Sequence, residues 1–217
     1  MSDAFVEIPQ PLYRQLTPKG DERTDLYRSD NAGIRWMFWS RLRLLARLIV
    51  HSGVKGACLD FGGGSGAFLP TLSSVFTQVD CIDLDTHLAR GIVDSLSLHN
   101  VRIFETNVRE PAAQQYDAIV AADVLEHFKE LDMPIDAIIR RLKPDGMLFT
   151  SLPTETTLYE VIRFVMRKQK PADHYHTAYA VEARLRKAGF HRVLHTAIPV
   201  PLLAPLFLIS AWKYGKS

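Results

Sequence analysis

The chain has 217 residues, 47% of them hydrophobic and 23% charged, which suits a single globular domain with a full core. A formal net charge of +2 is too small to argue for a nucleic-acid partner. The longest apolar stretch, Ile198 to Ile209, is broken by Pro199, Pro201 and Pro205 and is too short to span a bilayer. Residues 1–10 carry acids and a proline where a secretory leader needs a basic and then an apolar run, so a cytoplasmic location is expected.

Residues 1–30, with Pro9, Pro11 and Pro18 and no period, read as an extended arm. A helix is expected over 31–51, where Ile34, Met37, Phe38, Leu42, Leu45, Leu48 and Ile49 form an apolar stripe. Arg35, Arg43 and Arg47, with Trp39 among them, form a second row. That row suits either a solvated basic face or, with Trp36, a peripheral contact with anionic lipid.

From residue 56 strands alternate with helices. Strands are expected at 57–61, 79–84, 101–105, 116–123 and 146–152, and helices at 67–76, after Thr86 as a cap, and at 135–142. Lys143-Pro144-Asp145-Gly146 reads as a turn. Residues 153–176 break the rhythm with a basic, apolar-striped helix at 157–168, read as a lid. Thr177 caps a helix to Lys187, Gly189 stops it, and strands follow at 191–198 and 206–212. The pattern predicts one α/β domain over 1–217, a doubly wound, mainly parallel sheet with an added N-terminal helix and lid. Cys58 and Cys81 fall in interior strands without C-x-x-C spacing and read as buried thiols.

The chemistry gathers at Asp60-Phe61-Gly62-Gly63-Gly64-Ser65-Gly66, where a buried strand runs into a glycine-rich turn and a helix. Such a turn allows close backbone approach, and a helix N-terminus beyond it suits an anionic or nucleotide-like group. Asp83 ends the next strand about twenty residues on, where a carboxylate can accept both hydroxyls of a ribose. The same glycines also fit the dinucleotide pattern G-x-G-x-x-G/A, which leaves two enzyme classes open.

The motifs in order separate the two. LDFGGGSGAF, VDCIDLD, YDAIVAADVLEHF, LKPDGMLFTSLP and DHYHTAYAVEARLRKAGF resemble successive motifs of the class I S-adenosylmethionine-dependent methyltransferases, in the small-molecule group similar to quinone-biosynthesis enzymes. The resemblance covers roughly residues 56–190 and implies a seven-stranded, Rossmann-like methyltransferase fold with S-adenosyl-L-methionine as cofactor. It assigns Asp60, Gly62, Gly64 and Gly66 to the amino-acid end of the cofactor, Asp83 to the ribose, and Leu84, Asn107 and Val108 to the adenine. Ala122 and Asp123 are assigned to the methionine part. It accepts Gly63, where many members carry cysteine or another small residue.

For an oxygen acceptor, His127 is the first candidate base, and His174 and His176 are the second. Related quinone enzymes suggest a divalent ion at Asp123, Glu126 and His127, while a plain structural hydrogen bond also fits His127. The acceptor is expected to be a small molecule, and the cationic lid with the apolar 199–206 run suits an amphiphile. No nucleic acid is expected, since the N/D-P-P-Y/F signature and a basic stripe are both missing from the sequence. The alternatives are a non-catalytic, cofactor-binding assembly or regulatory protein on the same fold and a nicotinamide-dependent oxidoreductase.

Overall fold

The computed structural model describes residues 5–106, 114–154, 175–198 and 205–215. Strands β1 (Ala57–Phe61), β2 (Gln78–Asp83), β3 (Val101–Glu105), β4 (Tyr116–Ala122), β5 (Leu142–Pro153), β6 (Phe190–Ile198) and β7 (Phe207–Tyr214) join in one sheet of order β3-β2-β1-β4-β5-β7-β6. Neighbours from β3 to β5 run parallel, and β7 is antiparallel to both β5 and β6. The reversal at β7 has a simple cause. Only residues 199–206 separate it from β6, too few for the crossover that a parallel partner requires.

Alternate residues of the central strands feed two apolar clusters. Cys58, Cys81, Ala118, Val120 and Phe149 face one layer, while Leu59, Phe61, Ile119, Ala121 and Leu148 face the other. The first layer is covered by α1 (Gln10–Leu16), α3 (Ala32–Ser52), α4 (Leu69–Val75) and α5 (His87–Ser95). The second is covered by α6 (Asp132–Arg141) and α7 (Ala178–Lys187). Burial on both sides explains the apolar runs Ala118–Ala122 of β4 and Met147–Phe149 of β5.

An extended arm is expected over 1–30; residues 5–30 are instead folded onto the body, with α1 and the single turn α2 (Glu22–Asp25). Pro11 sits in the first turn of α1, where its fixed φ and missing N–H do no harm. Ile8 and Tyr13 are fully buried. Asn31 caps α3 by accepting from the N–H groups of Gly33 and Ile34, and Gly53 closes it in the left-handed region at φ 74°.

Trp39, grouped above with the basic row, turns inward, and its indole donates to the Tyr27 carbonyl at 3.2 Å. Trp36 remains 64% exposed. Helix α4 starts at Leu69, later than expected, because the turn runs on through Gly66 and Phe68. Asp85, not Thr86, caps α5: its carboxylate accepts from His87 N–H at 3.1 Å, while Thr86 donates to Glu105. The Lys143–Gly146 turn lies inside β5 as a bulge, since pairing with β4 jumps from Tyr116↔Leu142 to Ala118↔Met147. Thr177 caps α7 as expected, accepting from Ala180 N–H, and Gly189 follows at φ 100°. The lid at 157–168 and the 199–204 segment lie outside the described residues.

Candidate active site

The expected residues meet at the carboxyl ends of β1, β2 and β4, the usual binding edge of a doubly wound sheet. The glycine turn folds back under β2, with Gly62 and Gly63 N–H both donating to the Ile82 carbonyl at 2.9 and 3.3 Å. Gly64 N–H donates to Asp83 Oδ2 at 2.8 Å, and Gly66 N–H to the Gly63 carbonyl at 2.9 Å. These four amides are therefore committed within the protein, and two carboxylates stand beside them. That corrects the anion-cradle expectation, because a pyrophosphate needs such N–H groups for itself.

What the turn offers is shape. Gly64 adopts φ 54°, and a Cβ built there meets no protein atom within 4 Å, so its backbone faces open space. Gly63 is tighter than the family pattern implies. A Cβ there would come 2.5 Å from the Cys81 sulfur and 2.7 Å from Asp60 Oδ2, so a side chain requires those atoms to move.

Asp60 is 3% exposed beneath this turn, and burial, reinforced by Asp83, pushes its carboxyl up to about 7. Asp83 is half-buried, and its Oδ1 accepts from Asp85 N–H at 3.2 Å. Leu84, 73% exposed, projects from the same edge. An acidic floor, an open backbone at Gly64, a ribose-ready carboxylate and an exposed apolar side chain fit a cationic nucleoside. Asn107, Val108 and His174 lie outside the described residues.

On the far side, Ala122 ends β4, and Asp123 follows at φ 53° with its N–H donating to the Ser151 carbonyl at 2.9 Å. A single 3-10 turn, Leu125–His127, comes next. Glu126 is buried within it, and Tyr175 N–H donates to the Glu126 carbonyl at 2.9 Å. His176 Nε2 meets the Lys129 carbonyl at 3.1 Å, and Lys129 Nζ stands 5.6 Å from the Tyr175 ring centroid. The stretch before α7 is thus laced to the His127 turn, which brings two of the three expected histidines to one end of the molecule. Among the described residues no group of three His, Cys, Asp or Glu side chains is placed to hold a metal ion. Asp123 instead forms an ion pair with Arg41 of α3.

Arg41, Tyr27 and Tyr13, with Ser65 and Ser151 from within the quoted motifs, are buried polar residues tied to the site that the motif reading gave no role. Arg41 is ion-paired to Asp123, hydrogen-bonded to the Tyr27 hydroxyl, and donates to Ser151 Oγ at 3.3 Å. The Tyr13 hydroxyl lies 3.3 Å from Ser65 Oγ in the glycine turn. Burial pushes both phenols above their ordinary range. One signal for Arg41 was present: it interrupts the apolar stripe between Phe38 and Leu42, where a cation needs a buried partner.

A family model described as a methyltransferase domain matches residues 34–195. The chain is 29% identical over 156 residues to a malonyl-[acyl-carrier protein] O-methyltransferase of Methylococcus capsulatus, covering 67% of this chain and 56% of that protein. It is 26% identical to a ubiquinone biosynthesis O-methyltransferase of Xylella fastidiosa, covering 70% of this chain and 66% of the relative. The matched region therefore spans less than two thirds of either relative's length. Among solved structures, N-methyltransferase NodS from Bradyrhizobium japonicum, in complex with S-adenosyl-L-homocysteine, is 20% identical with a TM-score of 0.69. That alignment covers 99% of this chain and 100% of NodS, and it shows the shared fold.

Proposed function

Because this chain belongs to the methyltransferase-domain family, of the class I S-adenosylmethionine-dependent type, we propose that it methylates an oxygen of a small, amphiphilic acceptor. The observation that carries the reading is the open Gly64 backbone between Asp60 and Asp83 at the binding edge of a β3-β2-β1-β4-β5-β7-β6 sheet. The names of the relatives, O-methyltransferases of ubiquinone biosynthesis and of malonyl-[acyl-carrier protein], support an oxygen acceptor.

S-adenosyl-L-methionine, when bound, supplies an activated methyl group on a sulfonium that is its own leaving group. The chain's work is placement, which by itself supplies much of the acceleration in such a transfer. Gly64 admits the donor to the backbone, with Gly62 and Gly66 allowing the turn to pack closely on Val124 and Ala89; Asp83 would accept the ribose hydroxyls, and Leu84, Asn107 and Val108 would enclose the adenine. Asp60 sits under the amino-acid end, and Ala122 and Asp123 border the methionine part. His127 Nδ1 is buried, so Nε2 is the nitrogen proposed to take the acceptor's proton. His174 and His176 would complete the acceptor side, with His176 holding the Lys129 loop. Exposed Trp36 on α3 supports a peripheral lipid contact for an amphiphilic acceptor.

Calorimetric titration with S-adenosyl-L-homocysteine, with NAD as control, tests the cofactor. Micromolar binding of the former alone is expected, and binding of NAD alone or of neither overturns the reading. Release of S-adenosyl-L-homocysteine is then assayed with alkylated catechols and with acyl-thioester carboxylates. Cofactor binding without turnover on either class would favour the non-catalytic partner.

A further inference from the structure

We propose that Arg41 is a positioning residue for the acceptor side: it fixes Asp123, and through Asp123 the 124–127 turn that carries His127. The proposal rests on the methyl-transfer reading above. Arg41 is 4% exposed, on the buried face of α3. Its guanidinium carbon lies 5.5, 5.7 and 5.3 Å from the ring centroids of Tyr27, Phe38 and Phe207. A cation enclosed by three rings has lost much of its water, so a carboxylate must stay ionised beside it. Asp123 is that carboxylate. Arg41 Nη1 also reaches Ser151 Oγ while Nη2 holds the Tyr27 hydroxyl, so one planar fork ties the ends of β4 and β5 to Tyr27.

Asp123 needs such a clamp. It is one of two described non-glycine residues with positive φ, a conformation that persists only where the surroundings impose it. The Ser151 carbonyl holds its N–H, and Arg41 holds its carboxylate. Val124, the next residue, fills the space that a Cβ on Gly62 would need, so this corner sits directly against the glycine turn. Downstream, His127 N–H donates to the Val124 carbonyl, Phe128 N–H to Leu125, and Tyr175 N–H to Glu126. Once the corner is set at Asp123, the place of His127 follows from it.

Amide hydrogen exchange by NMR tests this without an acceptor, on full-length Arg41→Lys and Arg41→Met. Protection at Asp123, His127, Phe128 and Tyr175 should fall by about tenfold or more in both, while Val79 and Thr106 on the β2–β3 edge keep theirs. Lysine should fail to rescue, because a single ammonium cannot hold the Tyr27 hydroxyl and the Asp123–Ser151 pair at once as the two nitrogens of the fork do. The His127 ring resonances should move while those of His99 and His191 stay. Unchanged protection at 123–128, an equal loss at Val79 and Thr106, or full rescue by lysine overturns the proposal. Should Arg41→Met fail to fold, Ser151→Ala removes one of the two contacts of Nη1 alone. It should weaken protection at the same four amides, and an unaffected set counts against the clamp. Failure of the methyl-transfer reading would show separately, as wild-type protein that does not bind S-adenosyl-L-homocysteine.

Discussion

The cofactor side of the site is made by neighbours in sequence, and the acceptor side by residues far apart. Gly62, Gly63 and Gly64 fold onto Ile82 and Asp83, the very next strand, so one strand–turn–helix–strand unit completes that half. On the acceptor side, Arg41 reaches Ser151, 110 positions away. Even the glycine turn takes a cover from afar, since Tyr13 of α1 reaches Ser65 over 52 positions. The near half is a motif and can be read from spacing alone. The far half exists only after α1 and α3 have closed over the sheet, and it depends on the whole core.

The strongest test of the near half is Asp60. Its folded carboxyl is raised to about 7 by burial, with Asp83 adding to the effect, against an ordinary value of 3.8. The folded state thus holds a proton that the unfolded chain releases, so the contribution of this group to stability is fully present below about pH 4 and is lost as pH rises through 7. Complete loss corresponds to roughly 4 kcal/mol as an upper bound. Asp60→Asn should flatten this dependence and unfold at higher denaturant than wild type at pH 8. Denaturation curves at pH 5 and pH 8 check it, and parallel curves for the two proteins would mean the carboxyl is better solvated than its burial implies.

Gly62→Ala tests the seam between the halves. It forces a side chain into φ 75° and against Val124, and should cost about 3 kcal/mol, read from the urea midpoint. A loss below about 1 kcal/mol would show that the 123–124 corner yields easily. Asp83→Ala removes the carboxylate that receives Gly64 N–H and the proposed ribose hydroxyls. Titration should show affinity for S-adenosyl-L-homocysteine down by about a hundredfold, with the fold kept. If affinity is unchanged, the near half does not hold a ribose.

The smallest effect is expected at Ser65→Ala, which deletes only the 3.3 Å contact from the Tyr13 hydroxyl. About 0.5–1 kcal/mol of stability should be lost, with most cofactor affinity retained. A large affinity loss instead would move Tyr13 and α1 from the role of cover into that of binding surface.

Several features follow from sequence alone because their causes are local. Alternation of apolar runs with periodic helices dictates the parallel sheet, and the glycines that must turn after Asp60 locate its binding edge. Asp83 is legible for the same reason, since the end of the next strand is set by the chain between. Thr177 and Gly189 likewise announce the limits of α7 through the chemistry of helix ends. Tertiary structure decided the remainder. Residues 5–30 have no period of their own and order only because Ile8 and Tyr13 find a core to enter. Thr86 lost its expected cap to Asp85 because its hydroxyl met Glu105 across the sheet edge. Arg41 became a partner of Asp123 because burial strips a cation of water, and a desolvated charge must find its opposite wherever the fold has brought one.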